Sequence, residues 1–159
     1  MTTPRLLPLA ALLAVAALIG AGCGSSSDDA PSVADAQSAY SSIRTQISGL
    51  GDSIGGAITG ASRQTDVQLA DSFAQLNDRA QATVERLRAL EVPDELSEEH
   101  QALSDALDQG TGDLADIARA ARASDADAAR QAAQQLIADS QRIRDTRAAF
   151  ERALNDAAK

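Results

Sequence analysis

Cysteine, tryptophan and other aromatic residues are scarce in this sequence. The chain has one cysteine, one tyrosine, two phenylalanines and no tryptophan. A single cysteine excludes an internal disulfide and a metal site built from several cysteines. Pockets for sugars, bases or flat cofactors commonly use aromatic side chains for stacking, so the composition disfavours such a pocket.

Basic residues are also in the minority. The chain has 14 lysines and arginines against 23 aspartates and glutamates, which gives a formal net charge of −9. An acidic surface repels nucleic acid and offers no polybasic patch for anionic lipid headgroups. We therefore expect no nucleic-acid partner.

Sequence motifs for catalysis are not evident either. We find no nucleotide-binding loop, no zinc-protease motif and no arrangement typical of a serine hydrolase. The sequence therefore predicts a protein without enzymatic activity, without a cofactor and without a metal site.

The first 22 residues have the parts of a secretory signal peptide. Arg5 is followed by an apolar run over residues 6–19, and residues 20–22 are small. A basic start, an apolar middle and a small-residue cleavage site are typical of such signals. The apolar run is shorter than the ~20 residues that span a bilayer.

The only cysteine, Cys23, directly follows these small residues, and the segment resembles the lipobox of bacterial lipoproteins. The resemblance implies cleavage after Gly22, a diacylglyceryl group in thioether linkage to Cys23, and acylation of the new amino terminus. It also implies anchoring on the extracytoplasmic side of the cell membrane. One alternative is plain secretion with a free cysteine, because Gly20 stands where lipoboxes usually carry leucine or valine. The other is an uncleaved membrane anchor.

The remainder divides into a tether at residues 23–31, rich in Ser and Asp, and one domain at residues 32–159. Four segments of the domain carry apolar residues at alternating spacings of three and four, which is typical of amphipathic helices. They cover residues 32–60, 66–90, 94–122 and 124–154. No segment alternates with period two, so the sequence predicts an all-α domain.

The connections between the second, third and fourth segments are only a few residues long. Short connections make consecutive helices antiparallel neighbours. The sequence therefore predicts an antiparallel up-down-up-down four-helix bundle with coiled-coil-like packing.

His100 is the only histidine, and it falls in the apolar seam of the third helix between Leu96 and Leu103. A histidine inside a helical bundle is a candidate ligand for a small molecule or metal, or a pH-sensitive packing residue. The competing interpretation is a partly buried side chain that is hydrogen-bonded locally, and we favour it.

Glycines are concentrated in the second half of the first helix, at positions 49, 51, 55, 56 and 60. Each glycine costs about 1 kcal/mol relative to alanine in a helix interior. The segment is therefore either a loop after residue 50 or a continuous but weak helix, and the uninterrupted apolar seam favours the helix. Gly51/Gly55 and Gly56/Gly60 are spaced so that a partner could approach closely, which makes these four residues the candidate partner contacts.

The whole chain resembles the small helical lipoproteins common in high-GC Gram-positive bacteria. The resemblance rests on residues 18–23 with the tether, and on the hairpin LRALEVPDELSEEHQAL at residues 87–103. It implies a membrane-anchored, non-enzymatic interaction module that binds a partner in the cell envelope. The alternative hypothesis is a carrier or sensor for a small ligand or metal in the bundle interior near His100.

Overall fold

A computed structural model of the protein describes residues 31–159, and this part of the chain is helical, with no strand. The all-α prediction is confirmed. The four α-helices are α1 (Val33–Gly60), α2 (Asp66–Arg88), α3 (Ser97–Arg122) and α4 (Ala126–Ala157). The predicted signal peptide, Cys23 and nearly all of the tether lie outside the described residues. None of the helices in residues 31–159 is both long and apolar enough to cross a membrane.

Helix α1 continues through its glycine-rich half. The Ser32 side chain caps its start by accepting a hydrogen bond from the Asp35 amide at 3.2 Å. The helix ends only at Gly60 and passes into a short 3-10 turn, Ala61–Arg63. The prediction of a continuous helix is therefore confirmed. Buried Ile47 and Leu50 lie on its inner face, and their packing offsets the low helix propensity of the glycines.

Local capping sets where the next helices begin and end. α2 starts with a capping box in which Thr65 and Gln68 satisfy each other's backbone amides. It ends at Arg88, two residues earlier than the periodicity predicts. A 3-10 turn, Asp94–Leu96, then follows Pro93 and delays the start of α3 to Ser97.

Helix α4 is capped by Asp125, whereas Ser124 followed by Asp127 in the sequence predicts a cap at Ser124, one residue earlier. The Asp125 carboxylate accepts a hydrogen bond from the Ala128 amide at 3.0 Å. Ser124 instead has a φ of 54° and lies in the turn between α3 and α4. Aspartate is as good an N-cap as serine, so the turn geometry decides which of the two adjacent residues caps the helix.

The buried side chains form two apolar clusters, and each cluster draws on all four helices. The first contains Tyr40 and Phe150, whose rings meet edge to face with centroids 4.9 Å apart. The second is built around Phe73, Leu114 and Leu136. Helix α3 packs extensively against α2 and α4, whereas α1 packs mainly against α2 and only slightly against α4.

Candidate functional site

His100 lies half-buried in the first turn of α3 and joins that helix to the end of α2. Its Nε2 atom donates a hydrogen bond to the Leu87 carbonyl at 2.7 Å, which places the proton on that nitrogen. The imidazole also lies beside Phe150, with ring centroids 5.8 Å apart. This geometry is that of a packing residue that satisfies a carbonyl at the C-terminal end of a helix.

The candidate glycines face open space. A Cβ atom built on Gly51, Gly55 or Gly56 would meet no atom within 4 Å, and one on Gly60 would meet only Gln64 Nε2 at 3.9 Å. No described part of the chain therefore packs closely on these glycines. Among the four, Gly51 borders an apolar cleft.

This cleft, which we name the α1–α4 cleft, lies where α1 and α4 separate, and its volume is about 390 Å³. Polar residues from α1 and α4 form its rim, and all four helices contribute to its floor. The floor is apolar and consists of Ile47, Leu50, Ile54, Ala80, Leu107, Leu114, Leu136 and Ile143. Its size is within the range of small-molecule sites. His100 is not among its lining residues.

Side-chain contacts explain why the cleft begins where it does. The first half of α1 is held against α4 by hydrogen bonds from Gln37 to Asn155 at 3.3 Å and from Tyr40 to Glu151 at 3.4 Å. The last such contact is Arg147 Nη1 to Ser48 Oγ at 3.3 Å. Beyond Ser48, no side-chain hydrogen bond joins α1 to α4 in residues 31–159, and Gly51 contributes no side chain at the edge of the cleft.

The rim of the cleft is charged. Arg144 and Arg147 project from α4, and Asp52 projects from α1. The Arg147 guanidinium lies 3.8 Å from the Glu151 carboxylate. Arg144 hydrogen-bonds to Gln141 but forms no ion pair with any carboxylate in residues 31–159. The rim therefore offers guanidinium donors, and one of them is not neutralised by a neighbouring acid.

Two acidic side chains are buried between α3 and α4, away from the cleft. Asp113 and Asp139 are only 5% and 4% exposed, and their carboxyl groups lie close together. Gln135 donates a further hydrogen bond to Asp139 at 2.9 Å, and Arg142 lies 3.9 Å from it. Asp113 Oδ2 is buried and has no hydrogen-bond partner within the described chain.

This environment raises the pKa of Asp113 to about 6. Burial is the main cause, because it penalises the charged form. The neighbouring Asp139 carboxyl group, which can accept a hydrogen bond from protonated Asp113, and the negative charges of Asp139 and Asp116 act in the same direction. Asp113 therefore keeps its proton under mildly acidic conditions.

Comparisons with known proteins give no relative. No family model, no curated protein and no solved structure matches this chain. Within residues 31–159 there is also no group of three histidine, cysteine, aspartate or glutamate side chains placed to hold a metal ion.

The sequence pattern does not single out the rim arginines or the buried acid pair. The sequence nevertheless contains a pattern that could have indicated the burial of the two acids. Asp113 lies three residues after Gly110, and Asp139 lies three residues after Leu136. Both positions continue the apolar seam of their helices. Arg147 falls in the seam of α4, but nothing in the linear pattern shows that it borders a cleft.

Proposed function

We propose that this protein is a lipid-anchored, non-enzymatic binding module on the extracytoplasmic side of the cell membrane, and that the α1–α4 cleft is its binding site. The cleft is the observation that carries the proposal. It combines an apolar floor with guanidinium donors at the rim, a composition typical of small-molecule sites.

The architecture we propose for the module is an antiparallel up-down-up-down four-helix bundle. The contacts between α1 and α4 support it, because Tyr40 meets Glu151 whereas the later residue Ser48 meets the earlier residue Arg147. Rising numbers on one helix pair with falling numbers on the other, as antiparallel neighbours require. Apolar clusters that draw on all four helices also fit a bundle core.

Attachment to the membrane is assigned to Cys23. The support is the order of segments in the sequence: a basic residue, an apolar run, small residues and then the cysteine. Two or more acyl chains hold a protein firmly on a bilayer, whereas one chain binds only marginally. Cys23→Ser should abolish labelling of the protein by radioactive palmitate, and labelling of this variant would contradict the anchor.

Binding, and not catalysis, is the activity that the rim residues favour. The two hydroxyl groups of the cleft, on Ser48 and Ser140, are each engaged in a hydrogen bond to a residue of α4. An activated nucleophile requires an adjacent general base, and no histidine of residues 31–159 lines the cleft. What the cleft offers is apolar contact area and positive charge.

The proposal can be tested by native mass spectrometry of the protein extracted from its own membrane. We expect a mature mass that begins at Cys23, increased by acyl groups and by a further non-covalent ligand. The variant Gly51→Phe places an aromatic side chain at the cleft and should lose the ligand. The matched control is Gly55→Phe, which adds the same side chain to the same helix away from the cleft.

The two variants separate cleft binding from other causes. A Cβ atom at either glycine would meet no atom within 4 Å, so neither substitution creates a clash at its Cβ atom. A ligand that is retained in Gly51→Phe, or lost equally in both variants, would contradict the cleft as the binding site.

A further inference from the structure

The positive charge of the α1–α4 cleft is confined to one end of it, whereas the apolar floor runs along its length. On α4, Leu136 lines one end of the cleft and Arg144 and Arg147 line the other. At about 1.5 Å per residue, Leu136 and Arg144 are roughly 12 Å apart along the helix. A ligand that fills the cleft therefore needs an apolar part of about this length and a polar group at one end only.

The polar end of the cleft is suited to an anion. Arg144 is exposed and free of ion pairs within residues 31–159, in a chain whose net charge is −9. A guanidinium presents a planar fork of donors that matches the geometry of a carboxylate. Arg147 adds a second guanidinium, which is half-buried and fixed by its contact with Ser48.

From these observations we infer that the α1–α4 cleft binds a free, single-chain amphiphile with a carboxylate head, such as a fatty-acid anion. The alkyl chain lies on the apolar floor, and the head binds Arg144 and Arg147. This inference rests on the proposed function, because it names the ligand class of the same cleft.

Asp52 limits how the head can be placed. It is the one acidic residue of the described chain that lines the cleft, and its carboxylate repels an anion. The rim therefore attracts the head to α4 and disfavours a position against α1. Arg144→Gln and Asp52→Asn should therefore have opposite effects on the affinity for an anionic ligand.

The position of the cleft favours a monomeric ligand over a lipid that stays in the bilayer. Ile47 is the first cleft residue on α1, and it lies roughly 20 Å along the helix from Ser32, next to the tether. A free fatty-acid anion can diffuse to this site in any orientation of the domain, whereas a phospholipid in the membrane reaches it only when the cleft faces the bilayer.

The test uses the chain from residue 23 onward carrying Cys23→Ser, so that it can be studied without detergent, and three probes with a ten-carbon chain. Decanoate, decanol and decyltrimethylammonium are titrated calorimetrically below their aggregation concentrations. We expect decanoate to bind at least about tenfold more tightly than the other two, as hydrogen bonds to a charged group are worth more than neutral ones.

Charge variants locate the head. Arg144→Gln should weaken decanoate binding about tenfold and leave decanol unchanged, and Asp52→Asn should strengthen decanoate binding. The matched control is Arg152→Gln, which removes an exposed arginine of the same helix that does not line the cleft. An equal effect of both arginine variants would overturn the inference, because it would show a response to net charge alone.

The remaining outcomes separate this inference from the proposed function. Equal binding of all three probes, blocked by Gly51→Phe, would overturn the carboxylate head and leave the cleft as a binding site. If the protein bound phosphatidylglycerol vesicles in preference to decanoate, and Arg144→Gln abolished this binding, the inference that the ligand is a free amphiphile would be overturned. If none of the three probes bound, the inference of a fatty-acid ligand would be overturned. The proposed function would still stand if an endogenous ligand were found whose binding is lost in Gly51→Phe.

Discussion

The buried carboxyl groups of Asp113 on α3 and Asp139 on α4 lie close together at the interface of these helices, and the Asp139 carboxyl group helps to raise the pKa of Asp113. Two adjacent buried negative charges repel each other, so the folded chain is more stable when Asp113 is protonated. The stability of the α3–α4 interface should therefore depend on pH.

The first prediction concerns the sign of this pH dependence. In the unfolded chain an aspartate has a pKa of about 3.9, whereas the pKa of Asp113 in the folded chain is about 6. The resulting stabilisation is fully present below pH ~4 and is lost as the pH rises through 6. The loss amounts to at most about 3 kcal/mol.

This contribution can be isolated by comparing variants in urea denaturation at pH 4 and pH 7.5. The variant Asp113→Asn cannot ionise and should become more stable than the wild type as the pH rises. Asp105→Asn, which changes an exposed residue of the same helix, is the control and should show no such gain. Parallel pH profiles for the wild type and Asp113→Asn would contradict the prediction.

The second prediction separates the hydrogen bond of His100 from its packing. The Leu87 carbonyl accepts hydrogen bonds both from His100 and from the Leu90 amide at 3.0 Å. His100→Leu removes the first donor and retains apolar contact, so the free energy of unfolding should change by less than about 1 kcal/mol. His100→Ala also removes the side chain beside Phe150 and should be more destabilising.

Thermal denaturation of the two His100 variants provides the measurement. An equal and large loss of thermal stability in both variants would show that the hydrogen bond contributes more than the packing, contrary to our expectation.

The third prediction uses the glycines of α1. Gly55→Ala should raise the free energy of unfolding by about 1 kcal/mol, because alanine is the better helix former and its Cβ meets no atom within 4 Å. Gly110→Ala should gain less, because its Cβ would lie 3.1 Å from Ile143 Cδ1 and that side chain must move. Urea denaturation of both variants tests this ranking, and the reverse order would contradict it.

The fourth prediction concerns the aromatic contact at the centre of the first apolar cluster. Phe150 is fully buried and packs edge to face on Tyr40. Phe150→Ala should lower the free energy of unfolding by about 3–5 kcal/mol, because it leaves a cavity. Val67→Ala alters a residue that is 67% exposed and should change stability by no more than about 0.5 kcal/mol. Calorimetric unfolding of both variants distinguishes these values.

The helices and their approximate limits were predictable because their signals are local. Apolar residues recur with the helical period, and Pro93 breaks the pattern between α2 and α3. The errors are confined to helix ends, where adjacent residues compete for the same cap. Ser124 and Asp125 differ little as capping residues, so only the backbone geometry of the turn separates them.

The candidate site was predictable only in part. The glycine-rich half of α1 borders the cleft at Gly51, but Gly55 and Gly56 face solvent on the helix surface. His100 was correctly placed in an apolar seam, yet its partner, the Leu87 carbonyl, belongs to another helix. A linear pattern shows which face of a helix is apolar and not what lies opposite it.

The amino-acid sequence by itself determined that residues 32–159 are helical, because helix periodicity and helix caps depend on residues three or four positions apart. Tertiary structure alone decided the α1–α4 cleft and the contact between Asp113 and Asp139. Both depend on how residues far apart in the chain are brought together when the helices pack. That packing depends on the shape and volume of side chains from all four helices at once, which no local pattern records.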